Sequence, residues 1–360
     1  MAITIQHIRS LPKVELHTHL DGGLRPETIA VLAREIGYTD LPTLDPKALK
    51  AFFIRGANTG NLKDYLSGFV YTTALMQTKE ALERVAYELG EDMALDGVCY
   101  AEVRFSPVLH TQEGLHWDEI LQSVINGFQR VEQKYPIVIR LIVCAFRHME
   151  SFHSEDMAHL AVDFRDKGVV GFDLAGEEGG YPPKKHIHAF QFCQRENFNI
   201  TIHAGEAFGK ESIWQALQWC GAHRIGHATR LIDDLVVGES SMFQKGSLSQ
   251  YILDKRIPLE ICLSSNVHIG AVESLEKHPF KVFFSEKFRV CLNTDNRLMS
   301  NTTLTDEYYL AHSKYDLSCN DLQRITINAM KSAFISYGKR CDIIYNVIKP
   351  AYSKYLSTYC

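Results

Sequence analysis

Short runs of apolar and β-branched residues recur along the chain, at 14–16, 98–105, 137–144, 169–173, 200–203, 224–226, 259–262 and 290–293. Runs of this kind are expected of strands buried on both faces. Between them the apolar positions take helical spacing, over 26–36, 79–94, 117–132, 155–167, 185–196, 210–219 and 247–254. The first of these begins with Pro26, which suits the first turn of a helix. Strands alternating with helices along one undivided chain predict parallel βαβ units. Repeated over the eight runs, they predict an α/β protein with a TIM-like (β/α)8 barrel, and an open doubly wound sheet is the alternative.

One stretch breaks the rhythm. Residues 39–73 lie between the first and second strands and carry Phe52, Phe53, Ile54, Leu62, Tyr65, Leu66 and Phe69. A long excursion inside a compact domain is functional or disordered, and this apolar content favours a packed helical lid. With no Pro/Gly/Ser linker and no short-period repeat, residues 1–360 read as a single barrel domain. Barrels of this type run past ~250 residues as one domain.

Composition narrows the class. The 360 residues are 46% hydrophobic and carry a net charge of -5. No basic run stands out, which argues against nucleic acid as a partner. The chain has 9 cysteines, scattered without a C-x-x-C pair, so they read as small buried hydrophobes rather than a disulfide framework or a structural zinc module. No basic segment followed by an apolar one opens the chain, and no apolar run approaches the ~18–20 residues that span a bilayer. These features predict a cytoplasmic protein with no membrane partner; the oligomeric state is left open.

Polar residues gather where the predicted strands end: His17, His19 and Asp21 after the first, Glu102 and Arg104 in the second, Asp173, Gly176 and Glu177 after the fourth, His203 and Glu206 after the fifth, His227 after the sixth, Ser264, Ser265 and Asn266 after the seventh, and Asp295 and Asn296 after the eighth. In a TIM-like barrel that rim holds the active site. Residues i and i+2 of a strand share a face, so His17 and His19 can share one cation. With His203 and Asp295 they make three imidazoles and a carboxylate, a set that suits one divalent metal such as Zn2+ with water completing the sphere. Glu206 and His227 are the candidates to manage that water's protons. The fourth strand offers no lysine to bridge two metals, which favours a mononuclear site.

These motifs resemble those of the adenosine deaminases, in the metal-dependent hydrolase superfamily. The resemblance rests on Leu11 to Gly22 around His17-Thr-His19, then Tyr100 to Pro107, Gly171 to Glu177, Ile202 to Glu206, Arg224 to His227, Cys262 to Asn266 and Asn293 to Asp295, in that order, and it covers about residues 10–345. It implies hydrolytic deamination of adenosine and 2′-deoxyadenosine, with one zinc held by His17, His19, His203 and Asp295. It further implies that Glu206 protonates purine N1, that His227 orients or deprotonates the attacking water, and that Asp295 assists. Gly176 would offer its N–H to purine N3, Asp21 would accept from the ribose 5′-hydroxyl, and Leu62, Tyr65 and Phe69 would form an apolar gate.

Three positions depart from the family pattern. Asn296 stands where many relatives carry aspartate; the resemblance implies that it faces purine N7, and an amide donates to that acceptor at any pH, whereas a carboxyl must first be protonated. Ala228 stands where glycine is usual, and Leu263 where proline is common. Adenine and aminofutalosine deaminases share the metal set but typically carry Glu in place of Asp21, and AMP deaminases require basic phosphate contacts. A metallohydrolase of esters or amides and a non-catalytic binding protein are the remaining alternatives.

Overall fold

The computed structural model describes residues 3–237 and 243–359. β1 (Lys13–His19), β2 (Val98–Phe105), β3 (Val138–Phe146), β4 (Val169–Ala175), β5 (Asn199–Ala204) and β6 (Arg224–His227) follow one another in sequence and in the sheet. A small antiparallel hairpin, β7 (Leu235–Val237) with β8 (Phe243–Lys245), lies outside that sheet. β9 (Pro258–Ile261) and β10 (Arg289–Leu292) then complete an 8-stranded parallel sheet in the order β1-β2-β3-β4-β5-β6-β9-β10. The expected TIM-like barrel is the observed fold. Its strands are buried along both faces, as β2 shows over its full length, which is why they read as near-continuous apolar runs.

The two ends of the sheet meet through a side chain. Asn293 Oδ1 accepts from the backbone N–H groups of Leu16 at 2.8 Å and His17 at 3.1 Å. Just beyond, Asp295 N–H donates to His17 O at 3.0 Å and His19 N–H to Asp295 O at 2.8 Å. Asn293 thus stands in for a strand's carbonyl, and the same closure fixes Asp295 against the His17/His19 strand. Seam and site are one feature.

The barrel interior is charged. Arg224 pairs with Glu102 and Glu260, each at 2.6 Å, and Arg104 pairs with Asp173 at 2.8 Å and Glu260 at 3.0 Å, all buried. Glu102 and Arg104 therefore lie beneath the rim, not on it as their place in the second strand implied. Removing one member of such a buried pair costs about 3–5 kcal/mol, because the other charge is left uncompensated.

Residues 39–73 contain helices Pro46–Ala57 and Leu62–Ser67 and the start of Phe69–Ala74. Asp45 and Asn61 cap the first two by accepting backbone N–H groups. Two expected helices are shifted: the one over 155–167 runs Ser151–Asp163 before a 3-10 turn Arg165–Lys167, and the one over 185–196 opens with a 3-10 turn Pro183–His186. Helices Ile5–Ser10, Leu304–Tyr315, Cys319–Ser332 and Lys349–Tyr359 lie outside the predicted set. Cys99, Cys144, Cys193, Cys220, Cys262 and Cys291 are buried and unbridged, as the composition implied; Cys319 is buried, Cys341 is half-buried, and Cys360 lies outside the described residues. No helix of the described residues is long and apolar enough to cross a membrane.

Candidate active site

Every site residue expected from sequence except His17 lines one cavity of about 340 Å3 at the carboxyl ends of the strands: His19, Asp21, Leu62, Tyr65, Phe69, Gly176, His203, Glu206, His227, Asp295 and Asn296. His17 is fully buried beside them. Phe146, His148, Leu109 and Thr73 complete much of the wall. Among the described residues lining the cavity there is no Lys or Arg.

At its floor, donor atoms of His17, His203, His227 and Asp295 lie within 4.8 Å of one another. His19 Nε2 joins them, 3.2 Å from His203 Nε2 and 3.3 Å from Asp295 Oδ1. His17 Nε2 is also 3.3 Å from Asp295 Oδ1. Five groups converge, one more than the four expected to hold a metal, and the hydrogen bonds behind the His17, His203 and His227 rings distinguish their roles. His17 Nδ1 is 2.8 Å from Glu260, and His203 Nδ1 is 3.0 Å from Asp173. Burial opposes ionisation of these carboxyls, but Arg104 and Arg224 hold Glu260, and His203 and Arg104 hold Asp173, well below the usual carboxylate range. A carboxylate only accepts, so both rings donate from Nδ1 and turn an Nε2 lone pair inward.

His227 has the opposite polarity. Phe280 N–H donates to His278 Nδ1 at 3.0 Å, so a neutral His278 carries its proton on Nε2 and donates to Asn266 Oδ1 at 3.2 Å. That orients the Asn266 amide to donate to His227 Nδ1 at 2.9 Å. The neutral His227 ring therefore keeps its proton on Nε2, pointing into the site as a donor. Burial and His17 hold its pKa well below the usual histidine value, so the ring is neutral.

Glu206 Oε1 lies 3.3 Å from His227 Nε2. Burial, then the charges of Asp295 and Glu178, push the Glu206 pKa well above the usual value, which keeps a proton on it near neutrality. Its loop is held by Glu178, whose carboxylate accepts from the N–H groups of Gly205, Glu206, Ala207 and Phe208 at 2.7–2.9 Å. Asp295 is fixed from behind by Ser265 Oγ at 2.6 Å.

His227, Ala228 and Asp295 all have left-handed backbone, with φ of 63°, 55° and 60°. That conformation costs a residue with a Cβ on the order of 1–2 kcal/mol, and it clusters where function constrains the chain. It also explains why glycine is usual at position 228. Leu263 occupies the first turn of helix Leu263–His268, where proline is favoured. Gly22 is required by close approach: a Cβ there would lie 1.9 Å from Asn296 Oδ1. Gly176 has a φ of 92°, so glycine is needed by the backbone itself as well as by any ligand.

Buried atoms with no hydrogen-bond partner among the described residues include His17 Nε2, His227 Nε2, Asp21 Oδ1 and Asn296 Oδ1, all at this site. Buried polar groups are normally satisfied, so these open atoms leave the cavity able to take an ion or a polar ligand. Glu178, Glu260 and His278 are the supporting residues that sequence reasoning did not single out.

A family model described as adenosine deaminase matches residues 12–350. The chain belongs to the adenosine deaminase family. The adenosine deaminase of Mycobacterium marinum is 50% identical over 355 residues, covering 97% of this chain and 98% of its own. Adenosine deaminase 1 of Streptomyces coelicolor is 49% identical over 352 residues, covering 96% of this chain and 88% of its own. Among solved structures, the Arabidopsis N6-mAMP deaminase aligns with a TM-score of 0.82 at 28% identity, covering 95% of this chain and 99% of that one. An adenine deaminase from Arthrobacter aurescens reaches 0.85 at 23% identity over 96% of this chain and 99% of that one, a likeness of fold alone. Adenosine deaminases are metal-dependent, and the His/Asp cluster here could hold an ion.

Proposed function

We propose that this adenosine deaminase uses zinc to hydrolyse adenosine and 2′-deoxyadenosine to inosine and 2′-deoxyinosine, in cytoplasmic purine salvage. The observation that carries the reading is the stacking of a protonated acid, Glu206, and a neutral donor, His227, over a floor of inward lone pairs. His17, His19, His203 and Asp295 would hold the metal. When bound, zinc lowers the pKa of water toward ~7 and so supplies a nucleophile at neutral pH.

The chain's own groups do the rest. Glu206 gives its proton to purine N1, which draws electrons from C6 as water adds there. His227 Nε2–H donates to the water oxygen and orients it; with its proton already on Nε2, orientation is favoured over deprotonation. Asp295 takes one proton from the attacking water and returns it to the amino group; as the C6–N bond breaks and C6=O forms, the remaining hydroxyl proton goes back to Glu206, so adenosine and water become inosine and ammonia with both acids restored. Asn296 donates to N7 and Gly176 N–H to N3. Residues 39–73 act as the lid, with Leu62, Tyr65 and Phe69 excluding water over the base.

Asp21 sets the substrate class. Its Oδ1 is buried and unpartnered, which suits a 5′-hydroxyl donor. A nucleotide's phosphate would meet this acid with no Lys or Arg in the lining to offset it. The test is the fall in adenosine absorbance with and without a chelator. Turnover that stops on chelation and returns with zinc supports the reading; turnover indifferent to chelation overturns it.

A further inference from the structure

The opposite end of the barrel carries a second cleft, of about 600 Å3, where β5, β6, β9 and β10 begin. Its wall includes Lys255, Arg256, Arg289, Lys331 and Arg340, and among the described residues lining it none is Asp or Glu. None of these five side chains is ion-paired among the described residues. Arg224 on the same wall shows the contrast, because Glu102 and Glu260 neutralise it. In a chain with net charge -5, an unneutralised cluster of this size inside one concavity is not a consequence of composition.

The cluster is organised around Arg289. Its side chain is half-buried, and its Nε is shielded from solvent with no hydrogen-bond partner. Arg256 and Arg340 line the same cleft, and burial, then their charges, lower the Arg289 pKa. Arg340 Nε is likewise shielded and unpartnered. Arg340 donates to Lys331 O at 2.9 Å and Arg256 to Lys287 O at 2.6 Å. These bonds pin two of the guanidiniums while leaving most of their N–H groups unused. His223, on the same wall, accepts from Ile200 N–H through Nδ1 at 3.0 Å, so its neutral ring offers an Nε2–H as a further donor.

We propose that this cleft binds a small phosphate-bearing anion, with the phosphoryl group seated against Arg289 and Arg340. Guanidinium forks match the tetrahedral oxygens of phosphate, and charge-assisted hydrogen bonds satisfy the donors that the fold leaves open. The concave shape and bounded size suit a small molecule rather than an extended polyanion, and the net negative charge of the chain opposes the latter. The site faces away from the deamination cavity, so its occupant is distinct from the nucleoside substrate.

The test is a 31P NMR titration of the metal-loaded enzyme with inorganic phosphate at low ionic strength. One saturable site is expected, weakened about tenfold or more in both Arg289→Gln and Arg340→Gln. Neither residue touches the deamination site, so adenosine turnover by both variants should match the parent. Should Arg289→Gln fold poorly, Arg340→Gln decides alone. The absence of saturable binding overturns the proposal, as does binding of undiminished strength in the variants.

Discussion

The Asn266 amide donates to His227 Nδ1 at 2.9 Å, and this bond decides which nitrogen of His227 carries the ring proton. Asn266→Asp replaces a donor with an acceptor, so the ring would move its proton to Nδ1 and turn a lone pair inward. Loss of supporting hydrogen bonds at metal sites typically costs about 10–100-fold. A fall in kcat of that order is expected, with KM little changed. Nitrogen chemical shifts of the His227 ring should report the tautomer change; an unchanged ring and unchanged kcat would remove Asn266 from the account.

Glu178 is expected to act through the Glu206 loop. It is buried and accepts four consecutive N–H groups from Gly205 to Phe208. Glu178→Ala leaves those donors unpaired, at a cost of about 2–4 kcal/mol. Urea unfolding should show that loss. kcat should fall as well, because the acid is no longer held in place. A variant with parent stability would show that water replaces the carboxylate without penalty.

Asp21 makes stability depend on pH. Burial pushes its pKa up to about 7 in the folded protein, against about 3.9 in an unfolded chain. Between those values the folded state holds a proton that the unfolded state has released, so stability falls as pH rises through the window and levels off above about 7. Asp21→Asn lacks this penalty. Its stability relative to the parent should grow from about pH 4 to about pH 7, read from urea midpoints at several pH values. A difference that does not change with pH would contradict the raised pKa.

How much of this is legible in the sequence follows the range of the interactions. The strands were readable because burial on both faces makes each an apolar run in its own right. The helices after β10 carry local signals too: Thr303 with Asp306, and Ser318 with Asp321, form capping boxes that open Leu304–Tyr315 and Cys319–Ser332. The rim residues were readable because each ends a strand. Glu260 was not, although a lone acid inside an apolar strand is itself a signal. Its partner His17 is 243 residues away, and only the closed barrel brings them together. Glu178 acts on backbone N–H groups, and His278 has its tautomer set by one; backbone partners leave no trace in residue identity. Glu102 and Arg104 fall beneath the rim because the interior of this barrel holds a charge network that a strand pattern does not reveal.

Glu206→Gln tests the central claim most directly. The glutamine keeps the shape and leaves the metal donors untouched, but has no proton to give to N1. Metal analysis and steady-state kinetics on the same preparation should show full metal content with deamination reduced by at least about 100-fold. Parent-like turnover in a metal-replete Glu206→Gln enzyme would contradict the account.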